Sequence, residues 1–336
     1  MQLISVLSYR RIGLKIGTSG TWVTGAEDMA LDLETGMLYI SAYDRRRQSP
    51  GGIYRLPLAA LAADKDAFVV SDLSSHLGRP LRPHGMYLLK TRNLSLLFVI
   101  NRVEAGGRRL KPVIERFEIV GDRMIPIGMP IALPELANAN DLIALGRDHL
   151  LVTRDRMHSS GLQRFLHDML NFPGGSVVEL HHGRPRTLIR GLRFANGIAV
   201  DHERLYVAAT RSREIHIFDL AQTLAQGAHV RDGQVMSLGM APDNLTWGDD
   251  GRLYVAGPDS LLALARFRAG HISSDNVGSE VRALNVRPSL SVALSIRERG
   301  SHVSSGATVA VKYKGHLLLG AAFDAGLTWC KLGVMA

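Results

Sequence analysis

Six times along the chain the same small pattern recurs: a polar pair or its remnant, apolar residues two apart, a turn, and a second apolar run. The copies are GAEDMALDLETGMLYIS, RPHGMYLLKTRNLSLLFVI, NANDLIALGRDHLLVT, FANGIAVDHERLYVAA, APDNLTWGDDGRLYVAG and GATVAVKYKGHLLLGAA. Each reads as a β-hairpin, because a period of two puts Met29 and Leu31, Met86 and Leu88, Ile198 and Val200, and Leu245 and Trp247 on one face of their strands. Glu34-Thr35-Gly36, Asp249-Asp250-Gly251 and Lys314-Gly315 supply the Gly and Asp that tight connections between strands require. Counted from Glu27, His84, Asn140, Asn196, Asp243 and Ala307, the copies are spaced by 57, 56, 56, 47 and 64 residues. That spacing holds two hairpins, the length of a four-stranded propeller blade, whereas helical repeats would show a period of 3.6. The pattern predicts an all-β fold, a six-bladed β-propeller, with residues 1–336 forming one domain.

The outer hairpins fall between the repeats: GGIYRLPL with DAFVVSDL, IERFEIV with MIPIGMPI, SVVEL with PRTLIRGL, and REIHIFDL with QVMSLGM. Tyr9 to Ile16 precedes the first repeat and can supply a strand to the last blade, closing the ring. One segment departs from the strand pattern. Leu162, Phe165, Leu166, Met169 and Leu170 follow the i, i+3, i+4, i+7 spacing of a short amphipathic helix between Ser159 and Pro173, an insertion on the rim or over the tunnel mouth.

Composition narrows the class. The chain has 336 residues, 46% of them hydrophobic, with a net charge of +9, which excludes a disordered or collagen-like polymer. Its single cysteine, Cys330, cannot form an intramolecular disulfide and reads as a buried core residue. No apolar stretch approaches the roughly 18 residues needed to span a bilayer, so no membrane span is expected. MQLISVLSYRRIGLKIG lacks the order of a secretory signal, which points to a cytoplasmic protein. The positive charge lies in short groups, Arg45 to Arg47, Arg108 to Lys111 and Arg184 to Arg193, without interleaved aromatics. They read as solvated surface, with no nucleic-acid partner. His158, His167, His181 and His182 show no recurring ligand spacing and read as exposed or loop residues. No GxSxG elbow, Walker motif or GxGxxG is present, which disfavours a serine triad and nucleotide chemistry.

Radial repetition carries equivalent positions of the inner strands toward one axis. Glu27, His84, Asn140, Asn196 and Asp243, with Asn244 beside it, therefore form a candidate constellation of carboxylate and amide oxygens with one imidazole. Asn, Asp and Gly also open strands as ordinary turn residues, but recurrence in five of six copies argues for a shared role. Burying Glu27 with Asp243 would be costly without a cation, and several oxygens of mixed charge suit Ca²⁺ better than Mg²⁺ or Zn²⁺.

The segments GAEDMALD, RPHGMYLL, NANDLIALGRDHLLVTRD, GLRFANGIAVD, APDNLTWGDDGRLYV and ATVAVKYKGHLLLGAAF resemble, in order and along nearly the whole chain, the calcium-dependent paraoxonase and arylesterase family, related more distantly to the gluconolactonases. The resemblance implies a catalytic Ca²⁺ held by Glu27, Asn140, Asn196, Asp243 and Asn244, and a structural Ca²⁺ held by Asp28, Asp141 and the carbonyl of Met86. It implies hydrolysis of a small-molecule lactone or ester, with His84 as the base toward water. Asn140 or Asp243 are further candidates to orient that water. A second histidine that supports the first in animal members falls at Arg102 here, and of their paired cysteines only Cys330 has a counterpart. The helix at Gly161 to Leu170 falls where animal members place a lid, so Phe165 and Met169 would line an acyl or aryl pocket.

Two other readings fit the same residues. One is a non-catalytic, calcium-stabilised propeller whose basic rim binds an anionic partner. The other is a sugar-lactone hydrolase using another divalent metal. Oligomeric state leaves no mark on the sequence.

Overall fold

The computed structural model describes residues 4–17, 19–63, 65–106, 110–157 and 172–334. Strands dominate them. A long first strand, β1 (Ile4–Ile16), is followed by the meander β2 (Ala26–Asp32), β3 (Met37–Asp44), β4 (Ser49–Pro57) and β5 (Ala67–Asp72). Next come β6 (Pro83–Lys90), β7 (Ser95–Glu104), β8 (Leu110–Val120) and β9 (Arg123–Pro126), then β10 (Ala139–Gly146), β11 (His149–Arg154), β12 (Gly175–His181) and β13 (Arg184–Leu192). A further sheet holds β14 (Ala195–Val200), β15 (Arg204–Ala209) and β16 (Glu214–Asp219); helix α1 (Leu220–Gln226) and the two-residue β17 (Ala228–His229) intervene before its last strand, β18 (Gln234–Ser237). After β19 (Leu245–Trp247) and β20 (Leu253–Pro258), helix α2 (Leu261–Arg268) precedes β21 (Ser279–Asn285) and β22 (Ser291–Glu298), and the chain ends in β23 (Val309–Tyr313), β24 (His316–Gly320) and β25 (Leu327–Val334).

Every outer hairpin expected from the sequence is present, and contacts cluster into two compact units, Met1–Pro83 with Asn244–Ala336, and His84–Asp243. The first unit contains the sheet β19-β20-β21-β22 and an eight-stranded sheet of order β2-β3-β4-β5-β1-β25-β24-β23. The larger sheet is two four-stranded halves joined where β1 runs parallel to β5, from Gly13 opposite Ala67 to Ile16 opposite Val70. In its other half β1 supplies the outermost strand, as expected from the sequence: it pairs antiparallel with β25 and sets Tyr9 opposite Cys330 and Arg11 opposite Thr328.

Arg11 secures that seam. Its guanidinium donates to Val303 O at 2.9 Å, Asp324 Oδ2 at 2.8 Å and Ala325 O at 2.7 Å. Burial opposes the charge on Asp324, yet Arg11 and the backbone N–H groups of Ser305 and Ala325 hold its carboxyl below the ordinary value. Cys330 is fully buried, as its isolation in the sequence suggested, and burial, with Glu298 adding to it, pushes its thiol up to about 12.

In the second unit the sheets β6-β7-β8-β9, β10-β11-β12-β13-β17 and β14-β15-β16-β18 follow one another. Leu97, Phe98, Val99 and Ile100 are consecutive in β7 and each at most 1% exposed, which requires apolar neighbours on both faces of the sheet. Phe98, Ile100 and Ile114 pack with Leu142, Ala144 and Val152, while Ile143, Leu151 and Val177 on the opposite face pack with Ile198, Leu205 and Val207. The sheet β10–β13 thus buries one side against its predecessor, β6–β9, and the other against its successor, β14–β18.

Two short helices were not foreseen. Asp219 caps α1 by accepting from Gln222 N at 2.7 Å, and Gly227, at φ +74°, follows its last turn; Ser260 caps α2 by accepting from Ala263 N at 3.2 Å. Seven or eight residues are too few for a 3.6 period to stand out from a short apolar run. The amphipathic helix expected between Ser159 and Pro173, with Phe165 and Met169, falls on residues 158–171, outside the described residues. No helix among the described residues is long and apolar enough to cross a membrane.

Candidate active site

Each unit holds part of the constellation, and both parts are built by the same backbone device. Pairing is irregular where β2 passes Glu27 (Ala26 faces Ala42, but Asp28 faces Ser41), where β10 passes Asn140 and Asp141, and where β14 passes Asn196. A bulge gives the strand an extra residue and re-aims side chains that alternation would send into the sheet packing. The polar residues of β2, β10 and β14 sit at these irregularities, and nearly the whole set is buried: Glu27, Asp28, His84, Met86, Asn140, Asp141, Asn196 and Asn244 are each at most 7% exposed, and Asp243 is half-buried.

In the first unit the carbonyl of Glu27 accepts from Asn244 Nδ2 at 3.0 Å and from Thr308 Oγ1 at 2.7 Å. The Asn244 N–H in turn donates to Thr308 O at 2.9 Å. Asp28 Oδ1 accepts from the N–H of Met29 at 2.8 Å, which turns that carboxylate back on its own strand. Glu27 is not alone in its pocket, because Arg45 Nη2 lies 2.7 Å from its Oε2. This corrects the reading of Arg45 to Arg47 as uniformly solvated: the Arg45 side chain is only 15% exposed and serves as a counter-charge to a buried carboxylate.

In the second unit the remaining residues meet in sequence order. A Cβ on Gly85 would stand 2.6 Å from Asn140 O and 2.8 Å from Asp141 Oδ1, so only glycine lets the strand of His84 and Met86 approach the Asn140–Asp141 bulge this closely. Asp141 Oδ1 accepts from Leu142 N at 2.7 Å and its Oδ2 from Ile198 N at 3.0 Å, tying this bulge to that of Asn196. Gly197 N donates to Asp243 O at 3.0 Å, which brings in the last member. Asp141 therefore organises the backbone of two neighbouring inner strands.

Asn196 carries the most telling feature. Its Nδ2 donates to Thr210 Oγ1 at 3.1 Å, and the Thr210 hydroxyl donates onward to Pro242 O at 2.7 Å. Because that hydroxyl proton is committed to a carbonyl, Thr210 must accept from Asn196, which fixes the amide orientation. Asn196 Oδ1 is then left buried with no hydrogen-bond partner among the described residues. An acceptor in that state carries a desolvation cost of about 1–3 kcal/mol unless a donor or a cation fills the place.

Several supporting residues escaped the sequence reading. Ser41, Asn101, Thr153 and Thr210 close the second apolar run of successive repeats, and all are buried. Thr153 Oγ1 accepts from Asp141 N at 2.9 Å and donates to Asp141 O at 3.2 Å, Thr210 holds Asn196, and Asn101 Nδ2 donates to Glu115 Oε1 at 2.7 Å. The signal was available as one polar residue at the same place in LYISA, FVINR, LLVTR and VAATR. Thr308 fills the same supporting role in the last repeat, the copy without a polar pair. Arg102, where a second histidine was sought, is partly buried on β7 next to Asn101.

The chain is 26% identical to the serum paraoxonase/arylesterase 2 of Rattus norvegicus over 324 residues, covering 92% of this chain and 86% of that protein. It is also 26% identical to the human serum paraoxonase/lactonase 3 over 330 residues, with the same coverage of each. Among solved structures, a PQQ-bound aldose sugar dehydrogenase from Streptomyces coelicolor covers 99% of each chain with a TM-score of 0.56 at 14% identity, a likeness of fold alone. The arylesterase family profile matches residues 46–332, from the Arg45–Arg47 turn to the final strand. The chain belongs to the arylesterase family, and it is a carboxylic-ester hydrolase.

Proposed function

We propose that this chain is a calcium-dependent hydrolase of lactones and aryl esters, built as a single six-bladed β-propeller. Six sequence repeats and the four-stranded meanders support the blade count, with the eight-stranded sheet taken as two blades joined by β1. The names of its relatives, paraoxonase, arylesterase and lactonase, support the substrate class.

The observation that carries the reading is Asn196 Oδ1, an acceptor held in fixed orientation with no partner among the described residues. The donor set fits a hard cation. Glu27, Asn140, Asn196, Asp243 and Asn244 offer carboxylate and amide oxygens for a working Ca²⁺, and Asp28, Asp141 and the Met86 carbonyl offer oxygens for a structural one. When bound, the working ion would polarise the substrate carbonyl as a Lewis acid and stabilise the oxyanion that develops, worth several kcal/mol. The chain's own groups do the rest. His84, buried at the start of β6, accepts the proton of the attacking water at an imidazole nitrogen, while Asn140 and Asp243 orient that water. Asp141 and the threonines hold the bulges rigid, so that these groups are positioned before substrate arrives.

The test is hydrolysis of phenyl acetate and a panel of γ- and δ-lactones, before and after EGTA, with Asn196→Ala and His84→Gln measured alongside. Activity lost on chelation, restored by Ca²⁺ and reduced about 100-fold or more in Asn196→Ala is expected. A folded, calcium-loaded protein inert across the whole panel would overturn the reading.

A further inference from the structure

The sheet β10–β13 carries a second cluster of metal-ligating groups at the end opposite Asn140 and Asp141. His149 opens β11 and lies directly across from His181, the last residue of β12, while Glu179, two residues earlier on β12, shares its face. Register converts three residues far apart in sequence into one group, whose ligand atoms all lie within 4.8 Å of one another. The imidazoles of His149 and His181 stack with centroids 4.3 Å apart and planes 21° apart. His149 Nε2 is 2.8 Å from Glu179 Oε1.

We propose that His149, Glu179 and His181 form a binding site for a borderline transition-metal ion, Zn²⁺ or Cu²⁺, separate from the oxygen-rich constellation. Two imidazoles and one carboxylate are the donor set such ions take and calcium does not. Glu179 is buried and its second oxygen is occupied, since Arg186 Nε donates to Oε2 at 2.8 Å. Arg186 thereby fixes the carboxylate and leaves Oε1 as the ligand, the role of an outer partner that orients a metal-binding group. His149 is partly buried and His181 exposed, so an ion enters from solvent and keeps a position for water beside the three protein ligands. His149 binds as neutral imidazole, and the contact it makes with Glu179 is replaced by a shared ion. About six residues of strand separate this cluster from Asn140, roughly 20 Å at 3.3 Å per residue, so the ion acts as a clip between β11 and β12.

The arrangement is distinct from a surface histidine tract. His182, in the hairpin turn at φ +48°, stacks its ring on His181 at 4.5 Å but is not one of the three converging groups. The inference does not depend on the calcium reading. Its test uses the full chain, stripped with EDTA and returned to excess Ca²⁺, then titrated with Zn²⁺ by calorimetry and with Cu²⁺ by electron paramagnetic resonance. Wild type should bind one more equivalent of Zn²⁺ than His181→Ala, or bind it at least about tenfold more tightly, since even outer partners of a metal site are worth ~10–100-fold. Cu²⁺ spectra should show two imidazole nitrogens in wild type and in His182→Ala, and one in His181→Ala. Zn²⁺ should raise the Tm of wild type and not that of His181→Ala, because a ligand stabilises only the state that binds it. The exposed position of His181 keeps that variant folded, and Glu179→Gln gives an independent second reading. Zn²⁺ binding and Cu²⁺ spectra unchanged by His181→Ala would overturn the proposal.

Discussion

The two ends of the sheet β10–β13 show how one blade produces two chemically different clusters. At the start of β10, Asn140 and Asp141 sit in a bulge, buried, with Asp141 bonded to the N–H groups of Leu142 and Ile198 and with a threonine hydroxyl against its backbone. At the far end β11 and β12 pair in unbroken register, and that register gathers His149, Glu179 and His181. One end uses backbone distortion to aim oxygens inward. The other uses ordinary alternation to align imidazoles toward solvent. Burial and donor type change together: a buried oxygen cluster suits a hard cation held by several weak ligands, and a pair of imidazoles open to solvent at His181 suits an ion that forms fewer and stronger bonds.

Substitution separates these two modes of construction. The largest expected effect is at Asp141, where Asp141→Ala leaves two buried backbone donors without acceptors and should lower unfolding free energy by about 3 kcal/mol or more in urea denaturation. Glu179→Ala at the opposite end should lower it by only about 1 kcal/mol, since Arg186 is half exposed and can return to water. Equal losses at the two sites would show that the bulge is no more demanding than the register.

Arg11 and Asp324 provide a comparison that involves neither cluster. Arg11→Met should destabilise by about 2 kcal/mol at neutral pH, because it removes the counter-charge of a mostly buried carboxylate and the donor to the Val303 carbonyl at the β1–β25 seam. The pH dependence has a definite sign. The Asp324 carboxyl titrates lower in the folded chain than its ordinary value of 3.8, so the unfolded state binds its proton first. Its contribution is complete above that value and is lost as pH falls through the lower folded one, which thermal melts of wild type and Arg11→Met between neutral and strongly acidic pH would resolve. A difference between the two proteins that persists unchanged at the acidic limit would exclude the ion pair as its source.

An effect as small as that at Glu179 is expected at Arg45. Its guanidinium lies against Glu27, so a calcium ion at the proposed site would have to displace a cation already in place. Arg45→Gln should tighten calcium binding about fivefold, the equivalent of roughly 1 kcal/mol for a partly buried ion pair, as read by calorimetry on chelator-stripped protein. Weaker binding in the variant would mean that Arg45 positions Glu27 rather than competing for it.

Much of this architecture is legible in the sequence. Period-two alternation and turn chemistry are local, so Gly36, Gly251 and Gly315 sit at positive φ in the hairpins where the sequence placed turns. The closing strand was legible because an apolar segment before the first repeat has to pair somewhere, and β25 is where it pairs. The polar pairs stood out because residues of that kind interrupt strands at a regular interval. What supports them did not stand out. Arg45 lies in a run of arginines that reads as surface, and only folding turns the first of them inward. The threonines looked like ordinary strand residues until Thr153 and Thr210 were found bonded to Asp141 and Asn196.

By itself, then, the sequence determined the strands, the hairpins that join them and the residue types that open the repeats, because each follows from local alternation and turn chemistry. Tertiary structure alone decided which polar atoms are left without partners, which cation faces Glu27, and that His149 meets a glutamate thirty positions away. The physical reason is that strand register and bulges set side-chain direction. A slip of one residue would reverse every face, and register is fixed only when whole sheets pack against one another.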